Sequence, residues 1–152
     1  MNKNAELDCD ILALLQERQR TMLEFSPHHK PLNMYALARR DLEMSPGKLA
    51  SQIGHAFHLG YKNALEQRPL ITANYEGTGC GTKICMYAKN LTQLIRAYRD
   101  CQRLGLPCVL IIDRGHVLPP HFDGQPIITA LGIGPVYRDE AHEVTKRYTQ
   151  IN

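Results

Sequence analysis

Strand-like and helix-like stretches alternate along residues 34–150, and this alternation narrows the possible folds more than any other feature. Residues 34–38 (MYALA) read as a short apolar strand. A turn follows, in which Ser45 is placed to cap a helix and Pro46 to start it. That helix is expected to run from Pro46 to about Gln67, packing through Leu49, Ile53, Ala56, Phe57, Gly60 and Ala64. Residues 68–81 read as a loop, and 83–89 (KICMYAK) as the second strand. Asn90 then caps the helix LTQLIRAYRDCQRL, with Gln93 placed as in a capping box and Gly105 at its end. Residues 107–113 (PCVLIID) are apolar up to the last position, as in a strand buried on both faces. Residues 114–126 read as a loop with three prolines, and 128–136 (ITALGIGPV) as the fourth strand. Asp139 is expected to cap a last helix reaching about Gln150.

This order predicts an α/β fold: a three-layer α/β/α sandwich with a mixed, mostly parallel four-stranded sheet. The link before the fourth strand carries no helix, so that strand is free to run antiparallel. An extra N-terminal helix is expected over residues 5–25, with Leu7, Ile11, Leu14, Leu15 and Leu23 on one stripe. The two prolines of SPHHKPLN (26–33) break that pattern. The chain therefore divides into residues 1–33, a helix and linker, and a domain over 34–152. The stripe still needs burial, so the helix is expected to dock on this chain, a second copy or a partner. Four basic residues face five acidic ones in the first segment, while fourteen face ten in the second, so the net charge of +3 belongs to the main domain. Such a mild excess permits an anionic partner without requiring one.

Several classes are excluded or disfavoured. At 152 residues the chain has room for one ordinary domain. No apolar run approaches the roughly 20 residues of a membrane-spanning helix, so no membrane partner is expected. The acidic start lacks a basic-then-apolar leader, so a secretory signal is not expected. The five cysteines, Cys9, Cys80, Cys85, Cys101 and Cys108, form no CxxC pair. They fit reduced thiols in a cytoplasmic protein rather than a disulfide framework or zinc finger. Cys80 and Cys85, the tightest pair in sequence, are the alternative for redox chemistry.

The polar residues gather at strand ends, where ligands bind in sheets of this kind. The first strand ends in Arg39-Arg40-Asp41 and the third in Asp113-Arg114-Gly115-His116. Between them starts the helix bearing Lys48, Gln52 and His55, which share one helical face. That row is either a site or a solvated helix face. SPGK lacks the spacing of a phosphate-binding P-loop, and LGIGP does not complete a dinucleotide fingerprint. His28, His29, His116 and His121 have no HExxH-like spacing, so no metal site is expected. There is no GxSxG elbow.

The stretch ARRDLEMSPGKLASQIGHA (38–56) resembles the signature of type II peptidyl-tRNA hydrolases, the archaeal and eukaryotic kind. Arg39, Asp41, Leu42, Met44, Gly47, Lys48, Ala50, Gln52 and His55 stand at the signature positions. Asp113 and Gly115 match the family's Asp-Ala-Gly turn, and Thr129 through Pro135 its closing Thr-x-x-x-Ile-Gly-Pro strand. The resemblance covers about residues 34–150. It implies hydrolysis of the ester joining a peptide to the terminal ribose of tRNA, with no metal or organic cofactor, by a homodimer. It implies Lys48, Asp113 and Thr129 as catalytic residues. Arg39, Asp41, Gln52, His55, Arg114 and His116 are implied to bind substrate, with basic side chains meeting acceptor-stem phosphates. Two positions depart from the family turn: Arg114 replaces its alanine and Val117 its threonine. They carry the alternative of a non-catalytic RNA- or protein-binding module. A third reading is hydrolysis of another small ester or amide.

Overall fold

The Ser45–Pro46 start signal works as its chemistry requires. Ser45 Oγ accepts from the Lys48 amide at 3.4 Å, Pro46 occupies the first turn, and helix α2 runs Pro46–Gln67. A computed structural model describes residues 9–22 and 30–152. Within them lie α1 (Cys9–Met22), β1 (Leu32–Arg39), α2, α3 (Pro69–Glu76), β2 (Thr82–Ala88) and α4 (Leu91–Leu104). Then come β3 (Cys108–Asp113), β4 (Val117–Leu118), β5 (Phe122–Asp123), β6 (Ile127–Tyr137), α5 (Arg138–Thr145) and β7 (Thr149–Gln150). A short 3-10 turn, Arg40–Leu42, joins β1 to α2.

The main sheet has the order β3-β6-β1-β2-β7. β1 and β2 pair in parallel, and β6 is antiparallel to both β1 and β3, so β1, β2 and β3 point one way. The two helical crossovers therefore give the expected strand directions. β6 inserts between β1 and β3 rather than joining an edge, so most neighbouring pairs are antiparallel.

Side chains alternate across this sheet. Tyr35 and Leu37 of β1, with Leu131, Ile133 and Val136 of β6, pack against Leu94, Ala97 and Cys101 of α4 and Ala141 and Val144 of α5. Ala36, Ile111 and Ala130 face Ala56 of α2 on the other side. Leu32 and Met34 meet Tyr75 of α3 there. The layers are thus α2 and α3, the sheet, then α4 and α5. Gly132 lets α2 lie close: a Cβ there would stand 2.2 Å from the Ala56 carbonyl oxygen. That contact fixes the height of α2, and of Lys48, above the strands.

Several elements differ from expectation. β1 begins at Leu32, so Leu32 and Asn33, expected in the linker, are buried strand residues. The expected loop over 68–81 contains α3, because Pro69 sits at the first helical turn rather than breaking one. The Tyr75 phenol is buried there, which pushes its pKa up to about 12. The loop over 114–126 contains the β4–β5 hairpin. The last helix starts after Tyr137, whose amide donates to Glu140 Oε1 at 2.9 Å, and not after Asp139. It ends at Thr145, and Thr149–Gln150 becomes a fifth strand covering the open edge of β2.

The described part of α1 lies within the expected 5–25 span, while Leu7, Leu23, His28 and His29 fall outside the described residues. Ile11, Leu14 and Leu15 are exposed, and none of its described side chains is buried. No helix among the described residues is long and apolar enough to cross a membrane. Cys9 and Cys80 are exposed and Cys85 half-buried. The thiols that meet are Cys101 and Cys108: hydrogen bonding between them pushes Cys101 up and draws Cys108 down.

Candidate active site

β1 and β3 point the same way, so Arg39 and Asp113 end at one edge of the sheet, where α2 begins. Lys48, in the first turn of α2, reaches across to β3. Its Nζ donates to Asp113 Oδ2 at 2.8 Å, and the two side chains are only 11% and 17% exposed. A charge-assisted bond this sheltered from water is stronger than a surface ion pair.

Beside it, β6 carries a bulge opposite β3: Ile111 pairs with Ala130 and Ile112 with Ile128, leaving Thr129 between the two registers. A bulge re-aims a side chain. The buried Thr129 hydroxyl donates to Gln52 Oε1 at 2.5 Å. Gln52 is 1% exposed, lying between α2 and the sheet. Lys48 and Gln52 are therefore not a solvated face. One turn apart on α2, they address Asp113 and Thr129 on adjacent strands.

The other expected residues are placed differently. Arg39 Nε and Nη2 hold both oxygens of Asp41, at 3.1 and 2.7 Å, while Nη1 donates to the Ile128 carbonyl at 3.0 Å. That guanidinium draws the Asp41 carboxyl below its ordinary value. His55 and Arg114 are exposed and join neither pair. His116 stands at the base of the β4–β5 hairpin, its ring edge-on to Phe122 with centroids 5.5 Å apart. Its Nε2 is buried without a hydrogen-bond partner among the described residues.

Phe122 was not expected. Its ring lies 4.7 Å from Lys48 Nζ and is 3% exposed. A lone aromatic in a proline-rich loop has no periodicity to mark it; the only signal was its apolarity among polar neighbours. Val117, where the family turn has threonine, is 67% exposed on the outside of the hairpin. A cavity of about 720 Å³ lies near the starts of β1 and β2, between Met34, Phe57, Tyr61 and Tyr75. It touches none of the paired polar groups. We place the site at those groups, because they combine a cation, a carboxylate and a hydroxyl within one sheltered corner.

The family model for peptidyl-tRNA hydrolase PTH2 matches residues 32–151, from the start of β1 to beyond β7. The chain belongs to this family. The peptidyl-tRNA hydrolase of Methanococcus vannielii is 35% identical over 109 residues, which are 71% of this chain and 89% of that one. The peptidyl-tRNA hydrolase of Methanocaldococcus jannaschii is 30% identical over 115 residues, 75% of this chain and 95% of that protein. A Dictyostelium discoideum relative, "Probable peptidyl-tRNA hydrolase 2", is 30% identical over 108 residues, which are 71% of this chain but 49% of that protein. The matched span holds all four members of the two polar pairs of this PTH2 chain and leaves α1 outside.

Proposed function

We propose that this chain cleaves the ester between peptide and tRNA in peptidyl-tRNA, using Lys48, Asp113 and Thr129. The observation that carries this reading is the Lys48–Asp113 pair, 2.8 Å apart at the carboxyl end of β3 and flanked by the Gln52-held hydroxyl of Thr129. Ester hydrolysis needs an oriented water and a positive group where the oxyanion develops. Asp113 holds the water and takes its proton as the oxygen attacks the ester carbonyl. Lys48 Nζ faces the oxygen that becomes negative. The tetrahedral centre then releases the terminal ribose oxygen, which takes the proton held by Asp113, and the peptide leaves as its carboxylate after its acid proton passes to solvent. The Thr129 proton is committed to Gln52, so once water enters this buried corner the Thr129 oxygen can act toward it only as an acceptor.

The rest of the reading concerns recognition. Arg114, next to Asp113, and His55, two turns along α2 from Lys48, are exposed, and we assign them to acceptor-stem phosphates. Arg39, paired with Asp41 and bonded to the Ile128 carbonyl, stands at the end of β1 as a further candidate for substrate binding. Residues 32–152 are taken as the hydrolase domain, since β1 starts at Leu32, and α1 as an appended element, since it buries none of its described side chains. The exposed Ile11, Leu14 and Leu15 support docking of that helix in a homodimer. Thiols rather than disulfides support a cytoplasmic location.

The test is release of N-acetylated amino acid from charged tRNA by the purified chain, with a free amino-acid ester as control. Release from tRNA well above the control is expected. Intact substrate after prolonged incubation would refute the reading. Arg114→Ala should lower the salt slope of tRNA binding by about one phosphate contact.

A further inference from the structure

The Lys48–Asp113 corner is covered. β4 and β5 form a hairpin of two residue pairs, Val117 with Asp123 and Leu118 with Phe122. Phe122 is buried, yet it joins none of the three apolar clusters of the core. What it covers is polar: the Lys48 ammonium 4.7 Å from its ring, with His116 against its edge. Lys48 thus has Asp113 on one side and an aromatic ring on another. An ester oxygen approaching the ammonium meets that ring.

Gly115 and Gly124 stand at the two bases of the hairpin with φ of 71° and 90°. Two backbone bonds close the base, Gly115 N–H to Gly124 O at 3.2 Å and Gly124 N–H to His116 O at 2.9 Å. No side chain of Gly115 or Gly124 anchors these ends. Val117, on the face away from Phe122, is exposed, and so is Leu118, which pairs with Phe122. The closed arrangement also carries the buried, unpartnered His116 Nε2. An unmade hydrogen bond penalises that arrangement and is relieved when the hairpin lifts and water or substrate reaches the ring.

We propose that Phe122 is a specificity-determining residue: its ring closes the Lys48–Asp113 pair to small esters, and only a substrate with enough binding surface to lift the hairpin reaches it. The inference rests on the hydrolase reading above and deepens it. A tRNA contacts the exposed cations around the corner and has phosphate binding energy to spend on opening. A free amino-acid ester carries the same scissile bond without that energy. Selection of this kind is induced fit, in which remote binding drives the rearrangement that exposes the chemistry.

Two measurements test it, one independent of activity. The first is acylation of Lys48 by a small amine-reactive reagent, followed by peptide mass spectrometry, with exposed Lys62 and Lys89 as internal references. Lys48 should react at least about tenfold more slowly than Lys62 in the wild type, and several-fold faster in Phe122→Ala than in the wild type. The second is kcat/KM on N-acetylaminoacyl-adenosine and on N-acetylaminoacyl-tRNA. Phe122→Ala should raise kcat/KM on the small ester itself, and its ratio to that on tRNA, by about tenfold, and Phe122→Leu should shift both in the same direction by less. A gain on the small ester is not what a damaged fold produces, and circular dichroism checks that each variant is folded. Wild-type Lys48 reacting as fast as Lys62, unchanged Lys48 labelling in Phe122→Ala, or an unchanged or falling ratio would each overturn the proposal. If the wild type releases nothing from tRNA, the hydrolase reading fails, and the labelling still decides whether Phe122 covers Lys48.

Discussion

Two ion pairs sit at the carboxyl ends of strands one place removed in the sheet, and they differ in what they leave unused. Arg39 spends Nε and Nη2 on Asp41 and Nη1 on the Ile128 carbonyl. The fork is fixed from three directions, and Asp41 is gripped by both oxygens. Lys48 makes one bond to Asp113. Among the described residues its other donors and the second carboxylate oxygen meet no further hydrogen-bond partner, and the Phe122 ring holds the ammonium by charge and not by hydrogen bonding. Saturated pairs hold a fold together, while unsaturated, sheltered pairs retain capacity for a substrate. Residue types alone do not separate the two, since both are a cation beside an aspartate at positions the family pattern marks.

The comparison breaks most sharply at Lys48. Lys48→Ala should lower kcat by at least about a hundredfold, as expected for loss of one preorganised charge at a developing oxyanion. Steady-state release kinetics read this, and a loss below about threefold would put Lys48 with Arg39 among the structural cations. Thr129→Val should lower kcat by about tenfold and destabilise the fold by about 1–3 kcal/mol, because Gln52 is left buried without its partner. Urea unfolding separates that loss from the kinetic one.

Arg39→Ala should show the opposite balance. It should cost about 1–3 kcal/mol of stability through lost charged hydrogen bonds, with kcat within about threefold of wild type. It should also change the acid limb. The Asp41 carboxyl is held below its ordinary value, so its contribution is complete above the unfolded value near pH 4 and is lost as pH falls through the lower folded value. Without Arg39 that part of the fall in melting temperature below about pH 4 should disappear. An unchanged acid limb would mean that the pair contributes nothing. The smallest effect is expected at Val117→Thr. The side chain points to solvent on the hairpin, so restoring the family's hydroxyl should change turnover by less than about twofold. A larger gain would place that position in the chemistry.

How much was legible in the sequence follows from how local each signal is. Ser45 and Pro46, or Asn90 and Gly105, mark helix ends through bonds within a few residues, and those boundaries matched. β7 is two residues long and exists because β2 offers an open edge, a reason that lies more than sixty residues away in the chain. The Thr129–Gln52 bond spans 77 positions, and Lys48–Asp113 spans 65. The family pattern pointed to those residues without showing that α2 would bring them together in two pairs. Helical spacing grouped His55 with Lys48 and Gln52, yet one further turn carries it out to solvent. Phe122 was invisible because its role depends on a hairpin inside a stretch whose prolines suggested only a loop.

The most direct test of the account is single-turnover release from N-acetylaminoacyl-tRNA by Asp113→Asn, with tRNA binding measured on the same preparation. The substitution keeps the shape of the side chain and removes its charge. The account predicts a release rate at least about a hundredfold below wild type with a dissociation constant within about twofold, because phosphate contacts elsewhere hold the tRNA. Release near the wild-type rate would contradict it, since the Lys48–Asp113 pair would then be one more ion pair that only holds α2 to the sheet.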